Sequence, residues 1–277
     1  MPPAFGDVYK PVKDLLTKKY NGTGHKLDIK AKDGVTFNPV ITKGKGATVS
    51  IEGTYDPCEY AGLKLKYTIA TAGNLTTKMT LSKLAPGLVV EGNWDAALGE
   101  DSMKDKFDVK ATYTASAGNV EAKVVKAKET TAELSGVVAP LADLNLGASV
   151  KYNLITKKQQ GLSVVGSYLL PHKTTAAVVF DRKDKDVLTA GLINKSCPRY
   201  TTAVSYEADM KDLKAGSIIL GTERKLESGQ IIKAKATSSG DVGVSFQHTF
   251  NKYLSICTSL EVAKGKSMFG SELIYSA

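Results

Sequence analysis

The sequence predicts an all-β fold, a closed transmembrane β-barrel of about 19 strands that follows a short N-terminal helix. Three observations support this prediction. From His25 onward, apolar and polar residues alternate with a period of two, short turn signals separate the alternating segments, and no long helical pattern interrupts them. The segments are roughly 8–11 residues long, which is the length that a tilted strand needs to cross a membrane.

The first 24 residues differ from the rest of the chain. Apolar residues in this segment recur at helical spacing, with lysines between them, which predicts an amphipathic helix. Pro11 should limit the structure to a short turn before the proline and a better helix after it. Gly22 and Gly24 then predict a flexible hinge. We therefore divide the chain into residues 1–24, the helix and hinge, and residues 25–277, the barrel.

The strand around Lys110 shows how the two faces are assigned. Its apolar face carries the odd-numbered residues from Phe107 to Tyr113, and its polar face carries Lys106 and Asp108 beside Lys110. A sheet this long must close, and a closed barrel of this strand number is too wide for side chains to fill. The apolar face therefore points to lipid and the polar face to a water-filled lumen. The same periodicity also fits a large soluble β-sandwich or lipid-binding barrel, which stays open as an alternative.

The charge of the chain favours a diffuse positive field. Lys+Arg number 37 and Asp+Glu number 28 among 277 residues, which gives a net charge of +9. Arginine occurs only at Arg182, Arg199 and Arg224. Because arginine is the usual residue for reading bases and for bidentate phosphate contacts, this composition argues against specific binding of nucleic acid.

No motif indicates an enzyme, a metal or a cofactor. The three cysteines are widely spaced and contain no CxxC pair, and the three histidines fall in or beside different predicted strands. No run of 18 apolar residues predicts a transmembrane helix, and the N-terminus has no secretory signal. We therefore expect a non-enzymatic protein without a cofactor.

Specific segments of the sequence resemble the mitochondrial voltage-dependent anion channels. The N-terminal and C-terminal segments carry the most specific part of this resemblance, which otherwise extends diffusely over the whole chain. The segments are Pro3–Tyr20, His25–Lys30, Leu84–Val90, Ala234–Thr237, Gly243–Thr249 and Gly270–Ala277. The family is the known case of a barrel with 19 strands, so the strand count is not independent of the resemblance.

The resemblance implies a location in the mitochondrial outer membrane and a helix that lies inside the pore against its wall. It places the basic positions of that helix at Lys10, Lys13 and Lys18, and its wall-packing apolar position at Val8. It also implies that the first and last strands pair in parallel. The C-terminal insertion signal of the family falls on Gly270, Leu273 and Tyr275.

Four positions depart from the family pattern. Val89 replaces a lysine for which nucleotide contact is proposed, and Tyr67 lies near the position of a membrane-facing glutamate in some animal members. Met268 occupies a polar position of the insertion signal, and Pro11 is unusual within the helix. Hexokinase docking and calcium effects are therefore not carried over to this chain.

These observations predict a voltage-gated, weakly anion-selective diffusion pore for ions and small metabolites. The expected partners are membrane lipids and anions in transit, including ATP, ADP, phosphate and organic anions; a homo-oligomer is left open. Phosphate contacts are expected at Lys10, Lys13 and Lys18 on the helix and at Lys110 and Lys235 on the wall. The alternatives are a protein-import barrel of the same superfamily and a soluble β-rich protein that binds lipids or other ligands.

Overall fold

The computed structural model describes residues 1–20, 24–30, 36–42, 46–58, 62–71, 73–97, 105–183 and 185–276. These residues form one 3-10 turn, Phe5–Asp7, one α-helix, α1 Lys10–Thr17, and nineteen strands. The strands are β1 Gly24–Lys30, β2 Thr36–Thr42, β3 Gly46–Cys58, β4 Leu63–Ala70, β5 Asn74–Ala85, β6 Leu88–Ala97, β7 Lys106–Thr114, β8 Gly118–Lys126, β9 Thr130–Leu141, β10 Leu144–Asn153, β11 Lys158–Leu170, β12 Thr174–Arg182, β13 Asp186–Asn194, β14 Tyr200–Asp209, β15 Asp212–Lys225, β16 Ile231–Thr237, β17 Val242–Thr249, β18 Leu254–Ala263 and β19 Lys266–Ser276.

The strands form one closed ring. Consecutive strands pair antiparallel around the sheet, and β1 pairs antiparallel with β2 and parallel with β19. At the parallel seam Leu27 lies opposite Leu273, and Ile29 lies opposite Tyr275. A ring with an odd number of strands needs one such parallel pair, because consecutive antiparallel strands alternate in direction. The predicted all-β barrel and its parallel seam are therefore confirmed.

Strand β10 shows the two faces of the barrel wall. Leu146 and Val150 on the outer face are 45% and 41% exposed, whereas Ser149 between them on the inner face is 5% exposed. Large apolar side chains are exposed in the same way on nearly every strand from β3 to β19. A soluble monomer rarely exposes an apolar surface of this extent, so the outer face lies in lipid and the soluble alternative is wrong.

Helix α1 begins at Lys10, with Pro11 in its first turn. Proline is tolerated there because the N–H groups of a first helical turn have no intrahelical acceptor. A 3-10 turn precedes the proline, as predicted from the sequence, and the α-helix includes Pro11 in its first turn and continues beyond it to Thr17. Over the described segments of the chain, no helix has the length and apolar character needed to span a bilayer.

Candidate pore and its helix

The helical segment lies inside the barrel against one wall, from β9 to β15. At its N-terminal end Val8 is buried against Val137 and Val165, and Phe5 and Val179 pack around this cluster. Val8 is the residue that the resemblance assigns to wall packing. Its cluster joins the segment before α1 to strands β9, β11 and β12.

A second apolar cluster holds α1 itself. Val12, Leu15 and Leu16 form the buried stripe of the helix, and they pack on Ile193 of β13 and Ala203 of β14. These two wall residues are apolar at inner-face positions where most of the barrel carries polar side chains. The helix and this wall therefore share a small hydrophobic core within the lumen.

Two glycines bring the wall close to the helix. A Cβ atom at Gly191 would lie 2.7 Å from the Tyr9 hydroxyl oxygen and 2.9 Å from Cγ1 of Val12. At Gly221, a Cβ atom would lie 2.5 Å from Cδ2 of Leu16. Because real Cβ atoms do not approach this closely, a side chain at either position would force the helix side chains that pack on it to shift.

Two tyrosines anchor the ends of the helical segment. The Tyr9 hydroxyl lies 2.7 Å from Oγ of Ser205 on β14. Tyr20 is buried after the helix, and the Lys235 ammonium lies 4.3 Å from the centre of its ring. Burial raises the pKa of both phenols, so both stay neutral at physiological pH and can pack on the wall without a charge.

The three predicted helix lysines are exposed to the lumen but differ in their partners. Lys10 is paired with Asp7 and Lys18 with Asp14, each at 2.7 Å. Among the described residues, Lys13 makes no ion pair. Lys13 therefore contributes the least neutralised charge of the three.

The two predicted wall lysines are also paired. Lys110 lies 2.9 Å from Glu91 and 3.5 Å from Glu121, which flank it on the neighbouring strands. Lys235 lies 2.5 Å from Glu261, in addition to its contact with the Tyr20 ring. The structure places both on the inner face, but on different walls. Lys110 is on β7, away from the helix, and Lys235 is on β16, beside Tyr20 at the end of the helical segment.

An ion cluster fixes the segment that follows the helix. Lys19 reaches across to β19, where its ammonium lies 2.7 Å from Oε2 of Glu272. Lys26 of β1 lies 3.3 Å from the other oxygen of Glu272 and 2.7 Å from Asp28. The buried thiol of Cys257 donates to the Lys19 carbonyl at 3.7 Å. Lys19 has a φ of 71°, a left-handed conformation that is strained for a residue with a side chain.

A cationic cleft opens between the helix and the wall. It has a volume of about 600 Å³ and is lined by six lysines and three carboxylates. These residues are Lys10, Lys18, Lys19, Lys195, Lys225, Lys233, Asp7, Asp14 and Glu223. Lys233 is paired with Glu223 at 3.1 Å, whereas Lys195 and Lys225 make no ion pair within the described part of the chain. The sequence analysis did not single out Lys195 and Lys225, because nothing local marks them as neighbours of the helix.

The remaining predicted residues lie away from this cleft. Gly22 is outside the described residues, and Gly24 begins β1. Gly270 is buried on β19, while Leu273 and Tyr275 project from its outer face beside β1.

Three of the four departures also lie outside the cleft lining. Val89 is on β6 and Tyr67 is on β4, where Tyr67 covers Gly53 on the outer face. Met268 faces inward on β19. Pro11 is the exception, because it lines the cleft from the first turn of the helix.

Comparison with known proteins assigns this chain to a protein family. The family model described as eukaryotic porin matches residues 1–270. The mitochondrial outer membrane protein porin of Dictyostelium discoideum is 24% identical to this chain over 255 residues, which cover 88% of this chain and 86% of that protein.

Solved structures of bacterial porins give a more distant likeness. Two engineered variants of a porin from Rhodopseudomonas blastica match with TM-scores of 0.44 and 0.43 at 9% and 10% identity. In each case the match covers 84% of this chain and 88% of the other. Likeness at this level does not identify a shared function.

Proposed function

This chain belongs to the eukaryotic porin family and is a β-barrel diffusion pore of the mitochondrial outer membrane, and we propose that the pore is voltage-gated and weakly selective for anions. The proposed solutes are inorganic anions, phosphate, organic anions and nucleotides such as ATP and ADP. Members of this family are channels rather than enzymes, and small solutes pass through their lumen.

The cationic cleft beside the helix carries this proposal. Its six lysines face three carboxylates, so its field is positive even after the ion pairs are counted. Lys195 and Lys225 are the lysines of the cleft that have no paired carboxylate among the described residues. Lysine ammonium groups attract phosphate as point charges without clamping it, which suits a solute that must also leave.

Selectivity should be weak rather than strict. The helical segment packs on one side of the wall, from β9 to β15, and physiological salt screens exposed charges beyond about 8–10 Å. On the wall around β7, lysines and carboxylates also alternate, so their fields largely cancel. Anions are therefore favoured near the cleft and pass the opposite wall with little preference.

We propose that gating moves charges of the helix without removing its apolar stripe from the wall. A potential of 100 mV supplies about 2.3 kcal/mol for each elementary charge moved fully across the membrane. From Asp7 to Lys18 the helical segment carries three lysines against Asp7 and Asp14, and the next residue, Lys19, is paired with Glu272 of the wall. Burial of Val12, Leu15 and Leu16 stabilises docking by roughly 1.5–3 kcal/mol for each residue, which exceeds the work that the field can do on so small a net charge.

Planar bilayer recordings in a salt gradient test the proposal. The wild-type protein should give large stepwise currents that fall at higher voltage of either sign, with a reversal potential that favours anions. The variant K10Q/K13Q/K18Q should show weaker gating and a smaller anion preference. A reversal potential and gating identical to those of the wild type would refute the role of these three lysines.

The main alternative is a barrel that imports proteins. The name of the Dictyostelium relative favours the diffusion pore. A cation-selective current that is blocked by a cationic presequence peptide would instead favour the import barrel. Assembly into a homo-oligomer stays a prediction.

A further inference from the structure

A mostly apolar groove on the lipid-facing side of the barrel contains several polar and small side chains. It crosses the outer face of strands β12–β17 and has a volume of about 630 Å³, within the range of roughly 300–1,000 Å³ seen for small-molecule sites. Asn194, Thr202, Thr222 and Ala234 form one continuous row across four strands of its floor. Asn194 also donates to Oγ1 of Thr174 at 2.6 Å. The groove therefore combines an apolar floor with a band of hydroxyl and amide groups.

Arg224 lies just beyond the groove lining, next to the row of polar residues at one end. It is the next outward-facing residue after Thr222 on β15, and it pairs in register with Tyr200 of β14. Its guanidinium carbon lies 5.3 Å from the centre of the Tyr200 ring. Because both residues are at the ends of their strands, they lie at the level of the membrane interface, where tyrosine and arginine side chains meet lipid headgroups.

Arg224 differs from the other two arginines in its partners. Arg182 is paired with Asp186 at 3.0 Å, and Arg199 is paired with Glu227 at 2.8 Å. Among the described residues, Arg224 has no carboxylate partner and contacts only the face of an aromatic ring. The guanidinium donors of Arg224 are therefore available for an anion that approaches from the membrane side.

We propose that this groove binds one glycerophospholipid, with its phosphate on Arg224 and one acyl chain along the groove. A guanidinium matches the geometry of a phosphate and can donate two parallel hydrogen bonds. The hydroxyls of Thr202 and Thr222 lie beside Arg224 on the side toward the membrane centre, where the ester oxygens of such a lipid would lie. The acyl chain then covers Val204, Leu220 and Ala236, which continue the groove toward the membrane centre.

The combination of groups selects this ligand. A free phosphate ion would gain nothing from the apolar floor, and a lipid without a phosphate would leave Arg224 without its anion. The site is on the outer face, so it is independent of the lumen charges that determine ion selectivity.

Native mass spectrometry of the refolded protein, released from detergent micelles, tests the site. The probe is dioleoylphosphatidylglycerol, with dioleoylglycerol as the lipid that lacks the phosphate. We expect the wild type to retain one phosphatidylglycerol molecule. R224Q should weaken binding roughly tenfold, as expected for the loss of a charged hydrogen bond. A234F, which fills the groove, should also weaken it several-fold.

Matched variants separate the site from general effects. R199Q removes an arginine at the same edge of the barrel, and A148F adds a phenylalanine on the outer face of β10, outside the groove. Both should bind the lipid as the wild type does. If R224Q does not fold, R224K retains the charge and should show a smaller loss. Equal binding by R224Q and wild type, equal loss in R199Q, equal retention of dioleoylglycerol, or displacement by millimolar inorganic phosphate would each overturn the proposal.

Discussion

The two walls of the lumen use their inner faces differently. On the wall from β9 to β15, apolar inner residues such as Val137, Ile193 and Ala203 pack against the helix. On the wall around β7, inner residues are charged, and Lys110 is held between Glu91 and Glu121. The comparison teaches that the inner face is mostly polar where it meets water, and that its buried apolar clusters lie where the helical segment covers it. The helix is therefore part of the barrel core as well as a charged element of the pore.

A carboxylate on the helix-bearing wall should have the largest effect. I193D places a charge beneath Val12 and Leu15, where burial of an unpaired carboxylate costs several kcal/mol. The helix should leave the wall, and tryptic cleavage at its lysines should become at least tenfold faster. V89D, on the inner face of β6 away from the helix, is the matched control and should leave cleavage unchanged. Equal cleavage in the two variants would show that the walls do not differ in this way.

Loss of the ion cluster that joins Lys19 to Glu272 and Lys26 should have the next largest effect. E272Q removes the carboxylate that binds both Lys19 and Lys26, and should lower the free energy of unfolding by about 1–3 kcal/mol. D14N, which breaks the more exposed pair with Lys18, should cost at most about 1 kcal/mol. Chemical unfolding in detergent measures both values. If E272Q and D14N lower the free energy of unfolding equally, Glu272 stabilises the protein no more than an exposed ion pair does.

Replacing the helix lysines one at a time should shift the reversal potential by amounts that depend on whether the lysine has a carboxylate partner. K13Q removes a charge with no ion pair in the described structure, whereas K10Q and K18Q each release a carboxylate as well. Each of the three variants removes one positive charge. K10Q and K18Q also leave a carboxylate, Asp7 or Asp14, without its lysine beside the helix. K13Q should therefore lower anion preference without freeing an acid, and K10Q and K18Q should move the reversal potential further toward cations. Three identical shifts in reversal potential would mean that pairing has no influence.

The smallest effect is expected on the opposite wall. K110Q should change stability by only about 0.2–1 kcal/mol, because the pair is partly exposed to lumen water. The reversal potential should still move slightly toward cations, because Glu91 and Glu121 remain. E91Q/E121Q should move it in the other direction. A shift larger than that of the helix variants would place the selectivity on this wall instead.

Much of the barrel could be predicted from the sequence because strand periodicity and turn residues are local signals. The position of the helix on the wall is also marked by a signal in the sequence. Strict alternation fails where two apolar residues are adjacent, and one of each pair must face inward. Such pairs occur in strands of the helix-bearing wall: Val137-Val138, Val164-Val165, Val178-Val179, Leu192-Ile193 and Ile218-Ile219. The signal is not specific, since Val124-Val125 on β8 shows it as well.

The ion pairs of the lumen could not be predicted in the same way. Lys19 and Glu272 are far apart in sequence and meet only because the ring closes between β19 and β1. Lys195 and Lys225 enter the cleft through the register of β13–β15 and the position of the helix. The composition shows that the chain is positively charged. It does not show which lysines have a carboxylate partner in the folded protein.

The most direct test of the helix position compares two adjacent residues of α1 in the open channel. In a background with the three native cysteines replaced by alanine, V12C and K13C are exposed to a water-soluble maleimide in lipid bilayers. Val12 is 1% exposed against the wall, whereas Lys13 faces the lumen. We predict that K13C reacts at least tenfold faster than V12C. Equal rates in the open state would contradict a helix docked on the wall by its apolar stripe.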